Sequence, residues 1–181
     1  MPESARQDRA LLAYFSRAGE NYHHGGRRDL TRGNTEVLAT MIAELTQVDL
    51  HRIEASDPYP HDYDATVSRN VTEQNDDAQP DIANPLASID GYSTVLLASP
   101  IWNVRAPMIM STFTETYDFT GKTVLPVVTS AVSGLGSVER DHATAYPCAR
   151  ISQGLAVRGE EVSQQHSQVI TGLRAVGLPT R

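Results

Sequence analysis

Three short runs constrain this chain more than any other feature. "ALLAYFS" (Ala10–Ser16) is apolar with aromatics, and "STVLLASPI" (Ser93–Ile101) and "KTVLPVVTS" (Lys122–Ser130) are continuous, Val/Leu-rich and closed by Ser, Pro or Thr. A half-buried strand alternates apolar with polar residues, whereas a run that is apolar on both faces suits a parallel strand covered by helices on each side. Two weaker runs, Val48–Glu54 and Gln153–Gly159, bring the expected strands to five.

Helical patterns lie between them. In Asn34–Thr46 the residues Val37, Leu38, Met41, Ile42 and Leu45 form an apolar stripe at spacings of three and four. Ala106–Tyr117 carries Pro107 near its start, where the lost N–H costs little. Ser163–Gly177 opens on an N-cap serine and ends on glycine. Ser133–Pro147 and Asp62–Asn75 complete the set, the latter inside a polar, Pro-interrupted excursion, Ser56–Asp90. Strands alternating with helices through short connections predict an open α/β sheet. With no internal repeat, low-complexity tract or linker, residues 1–181 are expected to form one domain.

Composition narrows the function. A formal net charge of −7 argues against a nucleic-acid binder, which needs a clustered basic surface, and favours positively charged partners. The local exception is the opening loop, where Arg27, Arg28 and Arg32 follow Arg17. The single cysteine, Cys148, excludes an internal disulfide and a multi-cysteine metal site. No window reaches the apolar length of a membrane helix, and the charged "MPESARQDRA" lacks the apolar core of a signal peptide, so a cytoplasmic location is expected.

In open α/β sheets, ligands bind beyond the carboxyl ends of the strands, where strand order reverses. After the first strand come Ser16-Arg17-Ala18-Gly19 and, beyond a polar, Gly-rich and dibasic stretch (Glu20–Arg32), Gly33-Asn34-Thr35 at a helix start. Small hydroxyl residues, glycines and unpaired N–H groups there make an anion nest. After the third strand comes Ser99-Pro100-Ile101-Trp102-Asn103, which places the only tryptophan at the ligand edge. After the fourth comes Thr129-Ser130-Ala131-Val132-Ser133-Gly134-Leu135-Gly136-Ser137, a tight, donor-rich loop. A phosphate pocket, an aromatic platform and a donor-rich loop on one edge describe a phosphorylated planar heterocycle.

These residues resemble the flavodoxin family, in the branch where the first strand ends "YFSRxG" (Tyr14–Gly19), the second loop reads "PIWxxxxP" (Pro100–Pro107) and the third "TSxxSGLGSV" (Thr129–Val138). The stretch Phe113–Ser130 resembles the same branch through a whole helix, turn and strand, and the likeness runs from about Ala10 to Gly177. The resemblance implies a flavodoxin-like three-layer doubly wound sandwich, a five-stranded parallel sheet of order 2-1-3-4-5, with FMN bound noncovalently. Ser16, Arg17, Ala18, Asn34 and Thr35 would hold its phosphate. Pro100, Ile101, Trp102 and Asn103 would lie along the isoalloxazine, and Thr129, Ser130, Ser133 and Gly134 would offer hydrogen bonds to its polar edge. Two features depart from the pattern. Glu20–Arg32 splits the phosphate nest, and is expected to project as a flap whose Tyr22, His23 and His24 cover the flavin or shape access, with Arg27 and Arg28 available to an anionic ligand. The third loop lacks the stacking tyrosine of many flavodoxins, which leaves the second flavin face open or covered by that flap.

With that cofactor, the acidic chain, suited to docking basic redox partners, favours an electron carrier serving a redox partner protein. This reading stands ahead of an FMN-dependent NAD(P)H oxidoreductase acting on a quinone or other small acceptor, which the open flavin face and the arginine-bearing flap would suit. A flavin-free binding protein on the same fold is the third reading. Other chemistry lacks its pattern. The six histidines show no two-His helical metal spacing, Ser133-Gly134-Leu135-Gly136 lacks the Gly-x-Ser-x-Gly elbow, and the opening-loop glycines do not make a Gly-x-Gly-x-x-Gly fingerprint.

Overall fold

The computed structural model of the protein describes residues 9–181; most of the charged N-terminal segment read above lies outside them. In chain order the elements are β1 (Ala10–Tyr14), β2 (Gly19–His23), β3 (Gly26–Leu30), α1 (Asn34–Leu45), β4 (Asp49–Arg52), α2 (Tyr63–Asn75), β5 (Thr94–Pro100), α3 (Met108–Thr116), β6 (Thr123–Ser130), α4 (Val138–Ala145), β7 (Arg150–Ile151), β8 (Leu155–Arg158) and α5 (His166–Ala175), with a 3₁₀ turn over Gly159–Gln164.

The main sheet runs β4-β1-β5-β6, and β7 and β8 both pair with β6; every pairing is parallel. β7 and β8 are two halves of one edge strand, so the order is the expected 2-1-3-4-5. Alternate residues of the central strands enter two cores. Leu12, Leu96, Ala98, Leu125 and Val127 pack against Leu38 and Ile42 of α1 and Val169 and Leu173 of α5. Leu11, Ala13, Val95, Leu97 and Val124 pack with Ile109 and Phe113 of α3. Two covered faces explain why these runs are apolar at successive positions, each buried aliphatic side chain contributing about 1.5–3 kcal/mol.

Three helices are shorter than expected. Ser133–Pro147 is helical only over Val138–Ala145, because Gly134 and Gly136 take φ of +56° and +54°, left-handed values that no α-helix contains. Ser163 lies inside the 3₁₀ turn and does not cap a helix; α5 begins at His166, and Gln165 occupies its N-cap without a side-chain bond. α3 begins at Met108, with Pro107 in the N-cap position. Asp62–Asn75 forms nearly as expected: Asp62 caps α2 by accepting from the Ala65 amide at 2.7 Å. The rest of the Ser56–Asp90 excursion returns along the exposed side of β4. There the Asn84 amide donates to Arg52 O (2.7 Å) while its oxygen accepts from Glu54 N (3.0 Å), covering an edge that would otherwise offer unpaired backbone groups.

The stretch Glu20–Arg32 is an ordered antiparallel hairpin, β2–β3, in a sheet of its own. Its turn is His24-Gly25, with φ of 45° and 84°; two left-handed residues in succession match the twist of the flanking strands.

Candidate functional site

The carboxyl ends of β1, β5, β6 and β8 open on a cleft of about 360 Å³, at the point where strand order reverses between β1 and β5. Of the residues singled out by sequence, Ser16, Arg17, Asn34, Thr35, Pro100, Ile101, Trp102, Thr129, Ser130 and Ser133 line it. Ala18, Asn103 and Gly134 lie beside these in the chain but not on the cleft wall.

At one end the two sides of the insertion meet. A Cβ on Gly33 would fall 2.2 Å from Ser16 Oγ and 2.5 Å from Arg17 O, so only glycine allows this approach. Ser16 Oγ accepts from the Glu36 amide at 3.1 Å and thereby caps α1 from a different strand. The Val37 amide goes to Gly33 O at 3.2 Å. The amides of Asn34 and Thr35, in the first turn of α1, have no intrahelical acceptor and face no other partner among the described residues. The positive end of the helix dipole adds to their attraction for an anion. Thr35 Oγ1 and Thr129 Oγ1 form a buried hydroxyl pair at 2.8 Å; whichever donates, the other keeps a proton to give.

Along the middle of the cleft, Trp102 and Arg105 pair across a two-residue turn in which Asn103 and Val104 have φ of 51° and 61°. A β-branched residue in this conformation is strained and needs its surroundings to hold it. They do: Gln74 of α2 donates to Trp102 O (3.0 Å) and accepts from Asn103 Nδ2 (2.9 Å), and Ser137 N donates to Val104 O (2.9 Å). A Cβ on Gly136 would lie 2.1 Å from that same carbonyl, which is why the third loop carries glycine there. The Trp102 ring is set by edge contacts with Phe15 and Tyr59, centroids 5.6 and 5.2 Å away. Tyr59 is itself fixed by its hydroxyl on Glu73 (2.7 Å) and by the Arg69 guanidinium over its ring; burial and that carboxylate push its pKa up, so it stays neutral.

The hairpin straps the anion end of the cleft. Its base is tied toward α2: Glu20 Oε2 accepts from Tyr63 N (3.2 Å), Arg27 pairs with Asp64 (3.0 Å) and stacks 3.8 Å over the Tyr63 ring, and His61 meets Asp29 (3.0 Å). Its tip is tied to the far side, where Glu160 Oε1 accepts from His24 N at 3.0 Å and Oε2 meets Arg158 at 3.0 Å. Burial pushes the Glu160 pKa up, but the His24 N–H and Arg158 outweigh it and hold the carboxyl below its ordinary value. Asn21 and Tyr22 of the hairpin reach the cleft, whereas Arg27 is committed to Asp64 and Glu20.

Gly159, Glu160, Asn21 and Tyr63 line the cleft without having been assigned to the ligand from sequence. Gly159 carries the one available signal: a glycine directly after a strand, where a Cβ would lie 2.6 Å from Asn34 Nδ2 and displace that side chain. Glu160 is visible only through its contact with the hairpin, which no local pattern predicts. Among the described residues there is no group of acidic, His and Cys side chains able to hold a metal ion, and no helix is long and apolar enough to cross a membrane.

A doubly wound parallel sheet of order 2-1-3-4-5 with its cleft at the β1/β5 switch is the flavodoxin-like class of α/β fold. The flavodoxin family model matches residues 30–171, and the chain belongs to that family. It is similar to a candidate flavoprotein from Bacteroides uniformis, with 30% identity over 88% of this chain and 97% of that one, at a TM-score of 0.67. It shares its fold with a flavoprotein in complex with FMN from Lactobacillus acidophilus (18% identity, 87% and 97% covered, TM-score 0.63). The same holds for an NADPH-quinone reductase from P. pentosaceus (15%, 92% and 97%, TM-score 0.53). No curated protein matches the chain.

Proposed function

We propose that this chain, acting as one domain, binds FMN noncovalently in the cleft and carries electrons to a partner protein. The observation that carries the reading is that one cleft joins an anion nest at the start of α1 to the Trp102 turn and the Thr129–Ser133 loop. The residues present fit the group. The Asn34 and Thr35 amides and the buried, unpartnered Arg17 Nε are donors in search of an anion, and glycines at 33 and 159 keep the cradle clear. Family membership and the FMN complex of the Lactobacillus acidophilus relative support the same cofactor.

In this reading Ser16, Arg17, Asn34 and Thr35 surround the phosphate, with Ala18 next to Arg17 in the chain. Pro100, Ile101 and Trp102 form the platform for the ring, with Asn103 holding the Trp102 turn through Gln74, and Thr129, Ser130 and Ser133 supply donors to its polar edge. FMN supplies the redox chemistry when bound, taking up and releasing electrons singly or in pairs. The chain's own part is to exclude water and fix the ring's exposure. The hairpin reaches the cleft through Asn21 and Tyr22; Val132 on the cleft wall is 86% exposed, and Val104, on the adjoining Trp102 turn, is 58% exposed. Exposed apolar residues at the mouth of a site on an acidic protein suit transient docking of a basic partner onto the ring edge.

A second reading, an FMN-dependent reductase using NAD(P)H, is favoured by Arg28. This exposed hairpin cation forms no ion pair among the described residues and is available to a nucleotide phosphate. Anaerobic titration of FMN-reconstituted protein separates the readings. A carrier is reduced by dithionite and left oxidised by NADH and NADPH; rapid bleaching by either nucleotide selects the reductase. Failure to bind FMN would leave the flavin-free reading.

A further inference from the structure

Arg17 is engaged in an unusual way for a residue in an anion site. Its Nη1 donates to Ala18 O (3.1 Å), Pro60 O (3.0 Å) and His61 O (3.1 Å), and its Nη2 to Glu20 O. Those carbonyls belong to the base of the hairpin and to the segment that leads into α2. The residue is only 9% exposed and lines the cleft, yet its buried Nε has no hydrogen-bond partner among the described residues. Burial pushes its pKa down, which marks a site that disfavours the charge an arginine nevertheless keeps. An anion accepting from Nε would satisfy the orphan donor and offset that penalty.

The hairpin is held weakly enough for this to matter. It shares no strand pairing with the main sheet, and a two-stranded ribbon alone is marginal. Its ion pairs at the base are solvent-exposed and contribute little: Arg27 and Asp64 are 41% and 79% exposed, His61 and Asp29 70% and 69%. The links that are not exposed ion pairs are, at the base, the Arg17 fork, the Glu20 N–H donating to His61 O (3.0 Å) and the Tyr63 N–H donating to Glu20 Oε2, and, at the tip, Glu160. Of these the Arg17 fork alone also borders the cleft's anion nest. We infer that Arg17 is a positioning residue that couples occupancy of the anion end of the cleft to closure of the β2–β3 hairpin. A phosphate oxygen on Nε fixes the guanidinium, and the fixed guanidinium holds the carbonyls at the hairpin base. This rests on the assignment of that end of the cleft to a phosphate, and it makes the insertion a strap that tightens when the site fills.

Amide hydrogen exchange of residues 19–30 in the full chain tests it, with the protein alone and with inorganic phosphate, FMN or riboflavin. Phosphate at about ten times its dissociation constant slows hairpin exchange about tenfold, the factor expected for a ligand that binds only the closed form. FMN slows it at least as much, and riboflavin, lacking the phosphate, leaves it at the free rate. Arg17→Lys keeps the charge but loses the fork, so its hairpin exchanges faster and no longer responds to phosphate. Equal protection by riboflavin and FMN, no response to saturating phosphate, or a wild-type response in Arg17→Lys would each overturn the coupling. The wild-type arms decide the matter if the variant does not fold. Absence of flavin binding would remove the cofactor assignment and leave the coupling to the phosphate arm alone.

Discussion

Replacing Gly33 with alanine is the most informative single change. The backbone at Gly33 has φ −66° and ψ 153°, which alanine adopts without strain, so the effect is purely steric. The new Cβ would lie 2.2 Å from Ser16 Oγ, 2.5 Å from Arg17 O and 2.9 Å from Arg17 C. Moving the serine rotamer relieves the first contact but removes the acceptor of the Glu36 amide, a cap of about 1 kcal/mol. The other two contacts involve backbone, and overpacking of that kind costs about 1–3 kcal/mol. Together the loss is about 2–4 kcal/mol, a large share of the roughly 5–15 kcal/mol that holds a domain folded. With a urea m-value of about 2 kcal/mol per molar, the unfolding midpoint falls by roughly 1–2 M. The same displacement separates Ser16 and Arg17 from the first turn of α1, so FMN binding weakens by about tenfold or more, each tenfold being about 1.4 kcal/mol. Urea unfolding and flavin fluorescence titration of the two proteins measure both. An unmoved midpoint with unchanged FMN affinity would refute the convergence of the two ends of the insertion.

Two further outcomes follow from buried polar groups. Thr35→Val strands the Thr129 hydroxyl, 4% exposed, and costs about 1–3 kcal/mol in urea unfolding, whereas the Thr35→Val/Thr129→Val pair costs less than the sum of the single changes; strict additivity would show that the pair does not interact. His142 is 6% exposed, and burial lowers its pKa from 6.5 to about 4 despite Asp141 nearby. The unfolded chain therefore binds a proton that the folded chain refuses between those values. The stability from this group is complete above pH 6.5 and declines as pH falls toward about 4, by up to about 1.4 kcal/mol per unit. His142→Gln makes urea midpoints between pH 7 and 5 less pH-dependent; an unchanged pH dependence would place the buried proton elsewhere.

Much of the frame is legible in the sequence because it is written in local patterns. The doubly covered strands announce themselves as apolar runs, and their order follows from the family resemblance carried by Pro100–Pro107 and Thr129–Val138. That Ser16, Arg17, Asn34 and Thr35 converge at one end of the cleft is legible for the same reason, since cap chemistry and glycine are local signals. What is not legible depends on residues far apart in the chain. Glu20–Arg32 reads as a loose flap, and becomes a strap only because Tyr63, Asp64 and Glu160 lie where its base and tip arrive. The Ser133–Pro147 pattern overstates a helix because glycine propensity alone does not reveal that Gly136 must admit Val104 O. Trp102 reads as an aromatic plane at the ligand edge, while in the fold Phe15, Tyr59 and Gln74 dictate how its turn is presented.

The most direct measurement is a paired fluorescence titration of the purified chain with FMN and with riboflavin. The account predicts saturable binding of one FMN per chain, with riboflavin weaker by about tenfold or more, since the proposed site for the phosphate is the Asn34 and Thr35 amides and Arg17, which riboflavin would leave empty. Equal affinity for the two flavins, or no saturable binding of FMN, would contradict it.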